Sequence, residues 1–259
     1  MLDFHQIKAQ YPPALQHFER GILREYLQYK ILQGIFESKM ASRVSFLGGT
    51  ALRIIYGNTR FSEDIDLDNF GLRWEDFESL ISDVESLVKL EGFNVEISQV
   101  SKATYHCMIK FPEILFEHGI SPLQEEKIRI QIDTFAQGYD YEPEIKLLNK
   151  FDVFMLVRVT PLAVLLSQKI YAAVNRKRPM GRDFYDITFL LAQATPDYGY
   201  LRQKMGIGTA EGIRKKVLKL IDGVDMEALA DDVAPFLISE GDRKRVSMFP
   251  LFWEQADLG

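Results

Sequence analysis

The chain has 259 residues, 47% of them apolar and 26% charged, with a formal net charge of -6. That suits one or two globular domains with a sizeable core, and the acidic balance argues against a generally basic nucleic-acid-binding surface, leaving only local basic patches. The single cysteine, Cys107, excludes an intramolecular disulfide and fits a reducing compartment, where a small core residue is its expected role. The first six residues lack the charged and apolar regions of a signal peptide. No run approaches the roughly 18 apolar residues of a membrane span, so the expected location is cytoplasmic, with no membrane contact.

In chain order, apolar residues recur at helical spacing over 14–37 (Leu15, Phe18, Ile22, Leu23, Tyr26, Leu27, Ile31, Leu32, Ile35), predicting one or two packing helices. Residues 43–47 read as a first strand and 50–56 as a short helix after Gly48-Gly49. A polar loop over 57–63 leads to a second strand carrying Asp64 and Asp66. An amphipathic helix spans 74–90, with Phe77, Leu80, Ile81, Val84, Leu87 and Val88 on one face. Strands follow over 93–100 and 103–111, the second ended by Pro112. Residues 127–135 alternate strictly: Ile128, Ile130 and Ile132 face one way, and Lys127, Arg129, Gln131 and Asp133 the other. Residues 153–159 form a last apolar strand.

Thr160-Pro161 then reads as a helix start, Thr160 as N-cap and Pro161 at the first helical position. Beyond it the pattern is helical, over 162–175, 182–192, 201–205, 209–220, 226–236 and 246–255. The apolar segment 248–253 is expected to dock. The predicted architecture is α+β: a mixed-sheet domain with flanking helices over 1–157, then a C-terminal helical domain over 158–259.

The chemistry concentrates between Phe46 and Asp68. Asp64 and Asp66, two apart on a strand, point to one face and repel each other unless a cation lies between them; a hard divalent ion with oxygen ligands answers that need. Gly48 and Gly49 let backbone approach a bound group closely, and the following helix offers its first amides to an anion. An anion cradle beside a carboxylate pair suits a nucleoside triphosphate with Mg²⁺. Each motif alone is a weak signal; their order and short separation carry the reading.

Gly48-Gly49-Thr50-Ala51-Leu52-Arg53, followed by Arg60-Phe61-Ser62-x-Asp64-Ile65-Asp66, resembles the AbiEii/AbiGii toxin family within the DNA polymerase β-like nucleotidyltransferase superfamily. The resemblance implies a nucleotidyltransferase fold and a third metal carboxylate at a strand end, for which Asp133 is the candidate. It places the metal ligands on Asp64, Asp66 and Asp133, with two Mg²⁺ ions, and leaves Asp68 past the site. Gly48, Gly49 and Thr50 would hold the β and γ phosphates, although Thr50 also suits a helix cap. Arg53 would reach the phosphates or Asp64, or face solvent. Ser62 would bond a phosphate or fix its loop.

A second stretch runs from Lys169 to Asp186. Lys169 and Arg176, seven apart, share a helix face; Pro179 and Gly181 break the chain; Arg182, Asp183 and Asp186 open the next helix, with the two acids on one face. The pattern is similar to the distal motif of the same family. One reading is a set of inter-helix salt bridges. The other has Lys169 and Arg176 meeting the triphosphate across an inter-domain cleft, oriented by Arg182 and Asp183, with Lys169 and Asp183 among the catalytic groups.

The histidines His5, His17, His106 and His118 have no zinc-ligand spacing with one another or with Cys107. The basic clusters 214–216 and 242–245 read as solvated faces or as contacts to RNA phosphates. The resulting expectation is a cytoplasmic Mg²⁺-dependent enzyme that moves a nucleotide from an NTP to a hydroxyl. The family resemblance adds a tRNA acceptor, a toxin role and a cognate antitoxin. The alternatives are a nucleotide-binding module without turnover, or transfer to a protein or small-molecule hydroxyl.

Overall fold

The computed structural model describes residues 2–102 and 104–259; the expected strand start at Ala103 lies outside them. The chain divides into two units. The first comprises residues 1–55, 61–138 and 143–159, and the second 56–60, 139–142 and 160–259.

The first unit opens with α1 (Phe4–Ala9) and α2 (Glu19–Phe36), then β1 (Val44–Leu47), α3 (Gly48–Ile54) and β2 (Ile65–Asn69). It continues through α4 (Trp74–Leu90), β3 (Glu96–Ser101), β4 (Tyr105–Phe111), α5 (Ile114–Glu117), β5 (Ile128–Phe135), β6 (Glu144–Lys150) and β7 (Val153–Val159). Among the described residues, seven strands make one mixed sheet in the order β3-β4-β5-β2-β1-β7-β6. β2 runs parallel to β5, and β1 parallel to β7; the other neighbours are antiparallel. Alternation divides the sheet by face. Ile65, Leu67, Cys107, Ile109, Ile128, Ile130 and Ile132 are buried, together with the apolar stripes of α2 and α4. Burial pushes the Cys107 thiol up to about 12, as befits a core residue.

α1, α5 and β6 are not foreseen by the sequence pattern. β6 escapes because its polarity is inverted: Ile145 and Leu147 are exposed, while Glu144, Lys146, Leu148 and Lys150 alternate on the other face.

The second unit is helical: α6 (Leu162–Asn175), α7 (Gly181–Leu191), α8 (Tyr198–Met205), α9 (Ala210–Ile221), α10 (Met226–Val233), α11 (Lys244–Ser247) and α12 (Phe249–Gln255). Thr160 is not the cap of α6. Pro161 occupies that position, and the Thr160 hydroxyl lies 2.8 Å from the Tyr141 hydroxyl. The apolar tail docks, with Phe249 and Trp253 fully buried. Arg214 grips it by bonding the carbonyls of Trp253, Glu254 and Ala256, while Arg243 and Arg245 pair with Asp231 and Asp242. These three arginines are engaged within the unit, while Lys215, Lys216 and Lys244 of the same clusters are exposed. No helix among the described residues is long and apolar enough to cross a membrane.

Candidate active site

β1 ends at Leu47 and the chain turns directly into α3. Gly48 makes that turn at φ +79°, a conformation that favours glycine. It also needs glycine for space: a Cβ there would stand 2.1 Å from Oδ2 of Asp66. The backbone of the glycine turn therefore lies against the carboxylate. Gly49 and Thr50 follow on the first turn of α3, both buried.

Thr50 does not cap α3, whose N-cap is Leu47; its hydroxyl donates to the backbone carbonyl of Asp64, tying the helix to the entrance of β2. Asp64 stands just before that strand, which begins at Ile65. Gln28 of α2 fixes the approaching loop by donating to the carbonyls of Ser62 and Glu63, at 3.0 and 2.9 Å. The Ser62 loop is thus held through its backbone.

Arg53 does not face solvent. Its Nε donates to Glu25 at 2.8 Å and its guanidinium lies over the Phe61 ring. Glu25 is buried and also accepts from Lys150 at 2.7 Å and from the Tyr11 hydroxyl at 2.8 Å. Burial alone would raise the Glu25 carboxyl, but the two cations hold it below its ordinary value.

The register assembles the polar face. At one level across the sheet, Val100, His106, Asp133, Asp66 and Leu47 are successive cross-strand partners on β3, β4, β5, β2 and β1. Asp66 and Asp133 are direct neighbours on parallel strands, both half-buried. Gln131, two residues before Asp133, bonds its two oxygens at 2.8 and 2.9 Å.

His106 lies on the other side of Asp133, with Nδ1 2.6 Å from Oδ1 and Nε2 against the Thr104 hydroxyl. A carboxylate can only accept, so Nδ1 carries the proton in this contact. Sequence spacing assigned His106 nothing; it belongs to the site through the β4–β5 register. Asp68, two residues on along the same face of β2, is buried and accepts from the Gln137 amide at 2.8 Å.

The donor set matches a hard divalent cation: carboxylates side by side at Asp66 and Asp133, with Asp64 two residues up the chain and glycine backbone against Asp66. Among the described residues, however, no three carboxylate, histidine or cysteine groups are gathered into a metal-holding cluster. Asp133 is instead turned into its bonds with Gln131 and His106.

In the helical unit the predicted hairpin forms, with α6 supplying cations and α7 acids. Lys169 Nζ lies 2.9 Å from Asp186 Oδ2 and 3.8 Å from Asp183 Oδ1, and Arg176 Nε lies 2.7 Å from Asp183 Oδ2. The Arg176 contact is ionic without the alignment of a hydrogen bond, and both buried Asp183 oxygens lack a directed donor. Arg182 is half-buried and outside these pairs.

Arg60 is the residue the sequence pattern leaves without a role. It reaches Asp186 through Nε and Nη2 at 2.7 and 2.6 Å, and Asn58 adds a bond of 2.9 Å. Burial alone would raise the Asp186 carboxyl, but Arg60 and then Lys169 hold it down at about 2.

Two solved structures share this fold. JHP933 from Helicobacter pylori aligns with a TM-score of 0.56 at 15% identity, over 92% of this chain and 93% of that one. A second H. pylori structure, carrying a provisional nucleotidyltransferase name, aligns with a TM-score of 0.57 at 15% identity, over 92% and 96%. No curated protein matches the chain. The family model described as "Nucleotidyl transferase AbiEii toxin, Type IV TA system" matches residues 30–240, and the chain belongs to that family.

Proposed function

We propose that this chain is an Mg²⁺-dependent toxin that transfers a nucleotide from an NTP to a hydroxyl of tRNA. The acceptor oxygen bonds to the α-phosphorus, the bond to the bridging oxygen breaks, pyrophosphate leaves and the acceptor proton passes to solvent. Asp64, Asp66 and Asp133 would hold the metal, with two ions as the expected number. Mg²⁺ bound there would supply positive charge to the reacting phosphate oxygens.

The remaining work falls to the chain itself. Gly48, Gly49 and Thr50 bring backbone against the β and γ phosphates, with Arg53 and Ser62 at the margin of that cradle. Thr50 also holds Asp64 in place, and His106 and Gln131 fix the carboxylate of Asp133 until substrate arrives. On the helical unit Lys169 and Arg176 offset phosphate charge, and Asp183, Asp186 and the neighbouring Arg182 set their position. As the toxin of a type IV pair it would have a cognate antitoxin, and its expected compartment is the cytoplasm.

One observation supports this reading above others: Asp66 and Asp133 are register partners on adjacent parallel strands, with the Gly48 turn against Asp66. The test is purified protein with Mg²⁺, labelled NTPs and total tRNA. Label should enter RNA, and Asp66→Ala should abolish it. Label in RNA that survives that substitution refutes the mechanism. Nucleotide binding without pyrophosphate release indicates a binding module, and label in protein or a small molecule reassigns the acceptor.

A further inference from the structure

The face of the sheet that carries Asp66 and Asp133 also carries Arg158, next to last on β7. That strand alternates cleanly: Val153, Met155, Val157 and Val159 are buried, and Arg158 lies on the other face, half-buried. Its Nε is buried and has no hydrogen-bond partner among the described residues. Three other half-buried arginines of this unit each pair with a carboxylate: Arg24 with Glu63, Arg43 with Asp76 and Arg53 with Glu25. A partly buried guanidinium without an acceptor is unfavourable until something completes it, and the natural complement is an anion from outside the chain.

The register relates this guanidinium to the carboxylates. β1 and β7 run parallel, with Phe46 beside Val159. One step back along both strands sets Arg158 beside Ser45, which is paired with Asp68 on β2. Arg158 thus lies two strand spacings, about 10 Å, from β2. β1 and β7 end at the same rim, where the antiparallel β2 begins. From β5 to β7 this face presents Asp133, then Asp66, then the end of β1 with its Gly48 turn, then Arg158.

We infer that Arg158 binds the terminal phosphates of the NTP and offsets the charge that builds on pyrophosphate as it leaves, which rests on the nucleotidyl transfer proposed above. In an in-line displacement the attacking and leaving oxygens lie on opposite sides of the α-phosphorus. With the β and γ phosphates at the Gly48 turn, the tail runs from Asp66 towards β1, and the acceptor enters from the side of Asp133. The next strand beyond β1 is β7. The glycine turn offers neutral backbone groups, and Arg53 is already bonded to Glu25. Arg158 adds a full charge, and its planar fork can bond two phosphate oxygens at once.

The test uses the full chain with Mg²⁺ and follows binding by calorimetry, with each of the four α,β-methylene NTPs and with inorganic pyrophosphate. Arg158→Gln should weaken both pyrophosphate and the NTP analogue that wild type binds by roughly tenfold or more, the scale of one charged hydrogen bond. Its melting profile should match wild type, because no side-chain partner within the chain is lost. Arg158→Lys, which keeps the charge without the fork, should recover part of the affinity. An Arg158→Gln chain that binds the analogue as wild type does would refute the role of Arg158 alone. A loss of affinity that comes with a lowered melting temperature and no recovery in Arg158→Lys would make the residue structural and overturn the assignment. A wild type that binds none of the four analogues would refute the transfer reaction itself, and this role with it.

Discussion

Replacing Gly48 by alanine separates two demands that one residue meets. The first is conformational: a side chain at φ +79° costs about 1–2 kcal/mol. The second is spatial: the new Cβ would lie 2.1 Å from Asp66 Oδ2, roughly 1.4 Å short of an ordinary contact near 3.5 Å. Relief requires the turn or the carboxylate to move by about 1 Å, and a displacement of that size at a reacting centre costs on the order of 10²-fold in rate, about 2.7 kcal/mol of barrier. Gly71 supplies the control, since it has φ +80° and nothing within 4 Å of its would-be Cβ. Gly71→Ala should lose about 1–2 kcal/mol of stability in chemical denaturation and keep its transfer rate. Gly48→Ala should lose at least as much stability and also about 10²-fold in labelled-nucleotide transfer under saturating NTP. Equal transfer rates for the two variants would refute the claim that the glycine turn positions Asp66.

Three other outcomes follow from the same structure. Arg60→Met leaves the buried Asp186 carboxylate without its bidentate partner and should destabilise the chain by about 3–5 kcal/mol in urea unfolding, whereas Arg60→Met with Asp186→Leu should cost less. The Asp186 carboxyl is held near 2, below its ordinary 3.8, so its stabilising contribution is complete above pH 4 and fades as pH falls towards 2. The destabilisation caused by Asp186→Asn should therefore shrink by about 2 kcal/mol between pH 5 and pH 2, as measured by denaturant titrations at each pH. His106→Ala should lower the rate at saturating NTP more than it raises KM, and His106→Asn, whose amide can replace the Nδ1 donor, should recover much of the loss; an alanine variant with only a raised KM would dismiss the positioning role.

Much of the fold is legible in strong periodicity. The α4 stripe and the alternation of β5 stand out because burial divides polar from apolar residues cleanly there. β6 is illegible for the opposite reason, since its exposed face is the more apolar one. In the site, the Gly-Gly turn and the three acids are visible as motifs, but the neighbours of Asp133 are not. His106 joins it through a register between β4 and β5 that no local pattern encodes. Arg60 lies within a recognisable motif, yet its partner is 126 positions away, and only the fold shows that its fork is spent on Asp186. The second motif illustrates the converse: its residue types allow both salt bridges and phosphate contacts, and the salt bridges are made.

The segment 56–60 has a consequence for anyone dissecting this chain. It precedes β2 in sequence but belongs to the helical unit, where Asn58 and Arg60 complete Asp186 and the Thr59 carbonyl accepts from the amide of Ile238 at 3.3 Å. Cutting the chain after Val159 would discard this piece and leave the buried Asp186 with Lys169 alone of its hydrogen-bonding partners. The C-terminal portion is thus not a self-sufficient module, and a truncation made there would report on a missing buckle instead of on independent folding.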